Sequence, residues 1–176
     1  GKREAGDKCR IEVINSNTVS LAIGFLVIAA ARAAKSGATV DETVKLVQDS
    51  ISRASLIGAL DTLEFLQKGG RIGKAQAWIG SILSVKPLSC VRDGEVHPLE
   101  RVRTHSKAVE RLFELLKERQ SVKEVGVVYA TQVEEAKTLI GRVQELFPGK
   151  PVYLSRFGPV LGTYAGPGAL AVMTLS

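Results

Sequence analysis

The chain has 176 residues, 45% of them hydrophobic and 24% charged, a soluble globular profile with enough length for one domain and a real core. The formal net charge of +6 could favour an anionic partner, but lysines and arginines alternate with acids, as in Glu110-Arg111 and Lys117-Glu118-Arg119. There is no basic run with interleaved aromatics, so nucleic-acid binding is weakly supported. Two cysteines, Cys9 and Cys90, stand far apart without a CxxC pattern, and the two histidines, His97 and His105, form no HExxH motif. Neither a disulfide framework nor a metal site is expected, and a reducing cytoplasm suits this usage. The longest apolar run, Leu21 to Ala31, is too short to span a bilayer.

In chain order, Gly1 to Lys8 is charged and small, and Arg10 to Ile14 alternates as a short strand. Asn15 to Thr18 is a polar turn. Val19 to Ala34 is apolar nearly all round, which predicts a buried helix ending near Ser36-Gly37. Gly24 inside it permits a close approach, by another backbone or by a ligand. Thr39 to Glu42 is a capping box, and the helix after it aligns Val40, Val44, Val47 and Ile51 on one face. Ser55 to Leu60 reads as a strand.

Leu60 to Lys74 follows. Asp61 is placed to cap a short helix, with Glu64 completing a capping box. Gly69 and Gly70 stop that helix with left-handed geometry, and Arg71 comes just after. A guanidinium there can hold a carboxylate or phosphate through paired hydrogen bonds. Local chemistry alone favours a plain helix stop with a solvated arginine. A phosphate loop is excluded: Lys74 is followed by Ala75, and the Walker spacing is absent.

Lys74 to Leu83 reads as a helix carrying Trp78. Ser84 to Val91 and Gly94 to Leu99 form a hairpin through Arg92-Asp93-Gly94, with Pro87 and Pro98 pointing to strand ends or edges. A helix from Thr104 buries Val109, Leu112, Phe113 and Leu116. Glu124 to Ala130 is a strand. Thr131 to Glu134 is a capping box for a helix reaching Phe147, and Pro151 to Arg156 is a strand. Gly158 to Gly168 is a glycine-dense loop bearing Tyr164, able to cradle an anion or simply turn a corner. Ala169 to Leu175 closes the chain as a strand. A hairpin interrupting alternating helices and strands predicts an α/β fold, a two-layer domain with a mixed sheet covered by helices. No nucleophile beside a base stands out, so no catalytic residue is assigned.

Asp61-Thr62-Leu63-Glu64-Phe65-Leu66-Gln67-Lys68-Gly69-Gly70-Arg71-Ile72-Gly73 resembles the D-T-L-E-Y-L-x-x-G-G-R-I-G signature of the DegV family. In the same order, Ile14-Asn15-Ser16 with Ser20-Leu21-Ala22-Ile23-Gly24 resembles its I-D-S…S-M-G-x-G. Lys86-Pro87-Leu88, Asp93-Gly94 and Arg101-Val102-Arg103-Thr104 resemble its K-P-I…D-G…V-R-T. Gly158-Pro159-Val160 and Gly166-Pro167-Gly168-Ala169-Leu170 resemble its closing G-P-V…H-x-G-P-G-A-L-G.

The resemblance implies a fatty-acid-binding carrier, cytoplasmic and bacterial, with no reaction and no cofactor of its own. Some family members present the bound acid to a fatty acid kinase for acyl-phosphate formation. It implies ligand contacts from Arg71, Tyr164, Ser20 and Gly166, an acyl-tail wall at Ala22 and Ala59, and a kinase-facing or phosphotransfer role for Arg103. Tyr164 stands where the family has histidine, and Asn15 where it has aspartate. The family's T-S-Q-P and S-G-T-Y motifs, which hold the carboxylate, do not occur. The chain is therefore expected to be a C-terminal part, with residues 1–16 a border segment and 17–176 the lipid-binding domain. Self-association through an exposed apolar groove is then expected. The alternatives are a phosphotransfer component handling a small polar substrate, motivated by Arg71, Arg103 and the two glycine loops, or a structural interaction domain.

Overall fold

The structure is a computed structural model and describes residues 9–79 and 85–176. Among the described residues, six strands form one mixed sheet in the order β3-β2-β1-β6-β4-β5. They are β1 (Ala54–Ala59), β2 (Lys86–Arg92), β3 (Glu95–Val102), β4 (Glu124–Tyr129), β5 (Val152–Arg156) and β6 (Leu170–Leu175). Only β4 and β5 run parallel; every other pair is antiparallel. The last strand, β6, lies between β1 and β4 and pairs with both along its whole length. All six of its residues are buried, five of them apolar and the sixth Thr174.

The helices are α1 (Leu21–Lys35), α2 (Val40–Ile51), α3 (Glu64–Lys68), α4 (His105–Lys117), α5 (Val133–Leu146) and α6 (Pro159–Ala165), with a 3₁₀ helix over Gly73–Trp78. Strand alternation splits the apolar residues between two faces. Ile57, Leu88, Val125, Val127 and Val172 face α4 and α5, whose Leu112, Leu116 and Leu139 are buried against them. Leu56, Val128, Ala171 and Met173 face α1, which contributes Ala22, Phe25 and Leu26. Each fully buried Val, Leu, Phe or Met side chain among these contributes about 1.5–3 kcal/mol, and each alanine less. The expected α/β fold with a mixed sheet and covering helices is present, but helices cover both faces, adding a third layer over β1, β6 and β4.

Several expectations change. Residues 10–14 form no strand; Arg10 instead reaches Glu12 and Asp41. Gly158 to Gly168 is not simply a loop. Pro159 occupies the first position of the short helix α6, where its fixed φ suits a helix start. Thr131 does not cap α5; its hydroxyl donates to the Pro167 carbonyl at 2.7 Å, tying the end of β4 to the closing glycines. Pro87 lies in β2, which is flanked on both sides, though near its start and beside a register shift at Leu88/Ser89. The expected helix from Lys74 is a 3₁₀ turn to Trp78, and its continuation beyond Ile79 lies outside the described residues. Gly24 meets nothing but Leu21 of its own helix.

Other readings hold. The Thr39–Glu42 capping box is formed in both directions, and Thr104 caps α4 by accepting from the Lys107 amide. Asp93 and Gly94 both have positive φ, the geometry of a tight two-residue hairpin turn.

Candidate functional site

The signature stretch folds differently from a capped helix. The first turn of α3 has no side-chain cap from Asp61; the Thr62 hydroxyl accepts from the Glu64 amide instead. Asp61 is used elsewhere. Its carboxylate accepts from Lys86 Nζ at 2.8 Å and lies 3.3 Å from His105 Nδ1. His105 Nε2 lies 2.7 Å from Glu135. The other carboxylate oxygen presses on Gly168, where an added Cβ would lie 1.7 Å from it. Asp61 is therefore a clasp joining the signature to β2, α4 and the closing glycines. The Lys86 ammonium holds its carboxyl below the ordinary value of 3.8, against the opposing effect of burial. Nothing in the local sequence distinguishes this from a cap; the clue was a lysine and a histidine that needed partners.

The two glycines after α3 serve different needs. Gly70 has φ +66 and carries the left-handed residue of a Schellman ending, with the Arg71 amide donating to the Leu66 carbonyl at 2.8 Å. Gly69 has φ −80, so it is not left-handed. It is glycine because the Tyr164 ring lies on it: a Cβ there would meet Tyr164 Cδ1 at 2.2 Å. Gly166 repeats this from the other side, against the Phe65 ring at 2.5 Å. α3 and α6 thus interlock, ring against backbone in each direction.

That interlock roofs a cavity of about 280 Å³, open to solvent on one side. Its floor is the α1-side face of β1, β2 and β6 at Gly58, Ser89 and Ala171; Leu66, Phe157 and Leu161 line it from above. The lining is mostly apolar. Arg71 and Tyr164 both border it, with the Arg71 Cζ 5.7 Å from the centre of the Tyr164 ring. Arg71 is exposed, and among the described residues no carboxylate pairs with it. Cys90 also borders the cavity, and burial pushes its thiol up, keeping it neutral.

Arg71 and Tyr164 are thus brought together. The other expected residues are placed elsewhere. Ala59 belongs to the opposite core, with Leu88 and Leu112, because strand alternation turns it away from Gly58. Ala22, on the inner face of α1, is fully buried against Val128, Ala171 and Met173 and lies outside the cavity lining. Ser20, with φ 59, precedes α1, and it is its neighbour Val19 that borders the cavity. Gly166 serves the Phe65 contact. Arg103 is exposed beyond the end of β3, away from the cavity.

A second hollow of about 260 Å³ on the other side of α3 is more polar, bordered by Asp61, Gln67 and Trp78, with Arg101 4.3 Å over the indole ring. Among the described residues, no group of three or more His, Cys, Asp or Glu could hold a metal ion, and no helix is long and apolar enough to cross a membrane.

Fold and site define an open α/β domain whose mixed sheet floors an apolar cavity with an arginine at its border. A family model described as "Uncharacterised protein, DegV family" matches residues 2–176. The chain belongs to the DegV family. It is 38% identical over 169 residues to a DegV domain-containing protein of Streptomyces coelicolor, covering 94% of this chain and 60% of that protein. It is 35% identical over 170 residues to the protein DegV of Bacillus subtilis, with the same shares covered. The chain thus spans about three fifths of the length of these relatives. The crystal structure of DegV from Bacillus subtilis, described as a fatty acid binding protein, superposes with a TM-score of 0.84 at 31% identity, over 98% of this chain and 64% of that one. A fatty acid binding DegV family protein from Streptococcus agalactiae gives 0.85 at 26% identity, over 99% and 62%.

Proposed function

We propose that this chain forms the tail-holding part of a bacterial, cytoplasmic fatty-acid carrier. The observation that carries the reading is Arg71, without a carboxylate partner among the described residues, at the border of an apolar cavity. A long-chain fatty acid suits both features. Its carboxylate gives Arg71 a charge-assisted partner beside the Tyr164 phenol, and its methylenes fill the cavity at roughly 0.8 kcal/mol each. Relatives whose crystal structures are described as fatty acid binding share this fold. At about 280 Å³ the cavity is at the small end for a ligand site, in keeping with relatives longer than this chain. In the same reading residues 1–16 are a border segment and 17–176 the lipid-binding domain.

The carrier performs no reaction of its own and presents the bound acid to a fatty acid kinase for acyl-phosphate formation. Arg103, exposed at the β3–α4 corner and away from the cavity, supports a docking or phosphate-facing role there. Native mass spectrometry of the full-length protein purified from cells is expected to show a bound acyl mass. A protein that carries none and takes up no added fatty acid overturns the reading. For the kinase step, Arg103→Ala should keep fatty acid binding while slowing acyl-phosphate formation by an added kinase; an unchanged rate refutes that role.

A further inference from the structure

We propose that Ser89 is a specificity-determining residue, selecting acyl chains that carry a hydroxyl part-way along their length. The inference rests on the fatty-acid reading above. Ser89 is 5% exposed, and its Oγ is buried without a hydrogen-bond partner. Buried hydroxyls are normally satisfied, so one left bare on a cavity floor points to a partner supplied from the cavity. Its direction follows from the sheet register. Ser89 pairs with Gly58, and Gly58 pairs with Ala171. All three border the cavity. Gly58 has no side chain and Ala171 only a methyl, so neither register partner offers the hydroxyl a side-chain hydrogen bond. Leu56, Val91, Val96 and Phe157 in the lining offer no side-chain hydrogen bond, and Cys90 next in sequence offers only a weak thiol.

Ser89 is thus a polar point on a mostly apolar floor, separate from the Arg71 and Tyr164 border. A plain methylene chain laid across it leaves the hydroxyl unpaired. A chain hydroxyl at the matching carbon gives and accepts a hydrogen bond while the rest of the chain keeps its apolar contacts. An aliphatic ligand with a charged or bulky group at that depth is excluded by the apolar surroundings.

The test compares stearate with a set of hydroxystearates differing in hydroxyl position, titrated against the full-length protein and its S89A and S89T variants. One positional isomer is expected to bind the natural protein about fivefold to tenfold more tightly than stearate. S89A should lose that preference without losing stearate, and S89T, which keeps the hydroxyl, should retain it. S89A should melt no lower than the natural protein, because it removes an unpaired buried hydroxyl. A preference that survives in S89A overturns the inference. Stearate bound with no isomer preferred overturns the inference and leaves the carrier reading standing. Binding of none of these acids overturns both.

Discussion

Arg71 owes its position to the residue before it. Gly70 at φ +66 turns the chain so that Arg71 leaves the helix axis, and the Leu66 carbonyl fixes its amide. Among the described residues no carboxylate pairs with its guanidinium, and the proposed carrier role uses that charge. Arg71→Met keeps the apolar stem and removes the charge-assisted hydrogen bonds, so affinity for a long-chain fatty acid should fall roughly 10- to 100-fold, read by displacement of a fluorescent fatty acid. Equal affinities would remove Arg71 from the site. Asp61 has a structural duty. Its folded pKa is depressed, so its contribution to stability is present above the ordinary value near 4 and is lost as pH falls through the lower folded value. Asp61→Asn should melt at lower temperature at neutral pH, by about 1–2 kcal/mol because the site is partly open to solvent. The gap between variant and natural protein should close as the pH drops below about 4. A gap that persists at low pH would mean that charge is not what Asp61 supplies.

The pair α3 and α6 shows how two short helices hold each other. Neither has the length to be stable alone, at five and seven residues. Each survives because an aromatic ring of one lies on a glycine of the other, Tyr164 on Gly69 and Phe65 on Gly166. Gly69→Ala keeps an acceptable φ, so its effect comes mainly from the collision with Tyr164, with a tighter approach to the Phe65 carbonyl beside it. It should cost about 1–3 kcal/mol and weaken fatty acid binding together with stability. Calorimetry and the displacement assay should move in the same direction; an unchanged melting temperature would mean that α6 is free to shift. Helix starts marked by hydroxyl caps were legible locally, as with Thr39 and Thr104, because a cap involves residues only three apart. Asp61 and Thr131 have the same local pattern, yet distant groups claim both: Lys86 and His105 in one case, the Pro167 carbonyl in the other.

The molecule as a whole is organised by β6, the last strand, placed between β1 and β4 with both cores on its two sides. Because β6 joins β1 to β4 in one continuous sheet, the core is expected to behave as one unit. Leu112→Ala, at a fully buried site under the sheet, should cost about 2–5 kcal/mol and lower the single melting transition by roughly 5–15 °C. Two separate transitions would show that the faces melt independently. The apolar cavity under α3 and α6 opens to solvent. The chain by itself is therefore expected to self-associate, with sedimentation at rising concentration giving masses above 18.8 kDa; a monomer throughout would refute this.

The strands, the longer helices, the hairpin turn and the family signature could be read from the amino-acid order, because alternation, helical period and turn chemistry act over a few residues. The pairing of Arg71 with Tyr164 at one border followed only from the fold, which brings together positions far apart in the chain. The small residues of the cavity floor could not be separated from those of the core by type. Ala59 and Gly58 are neighbours in sequence, and the sheet turns one into the α4 core and the other into the cavity. Which of them meets a ligand depends on strand register and on which face the helices leave uncovered, and both are set by contacts between distant segments.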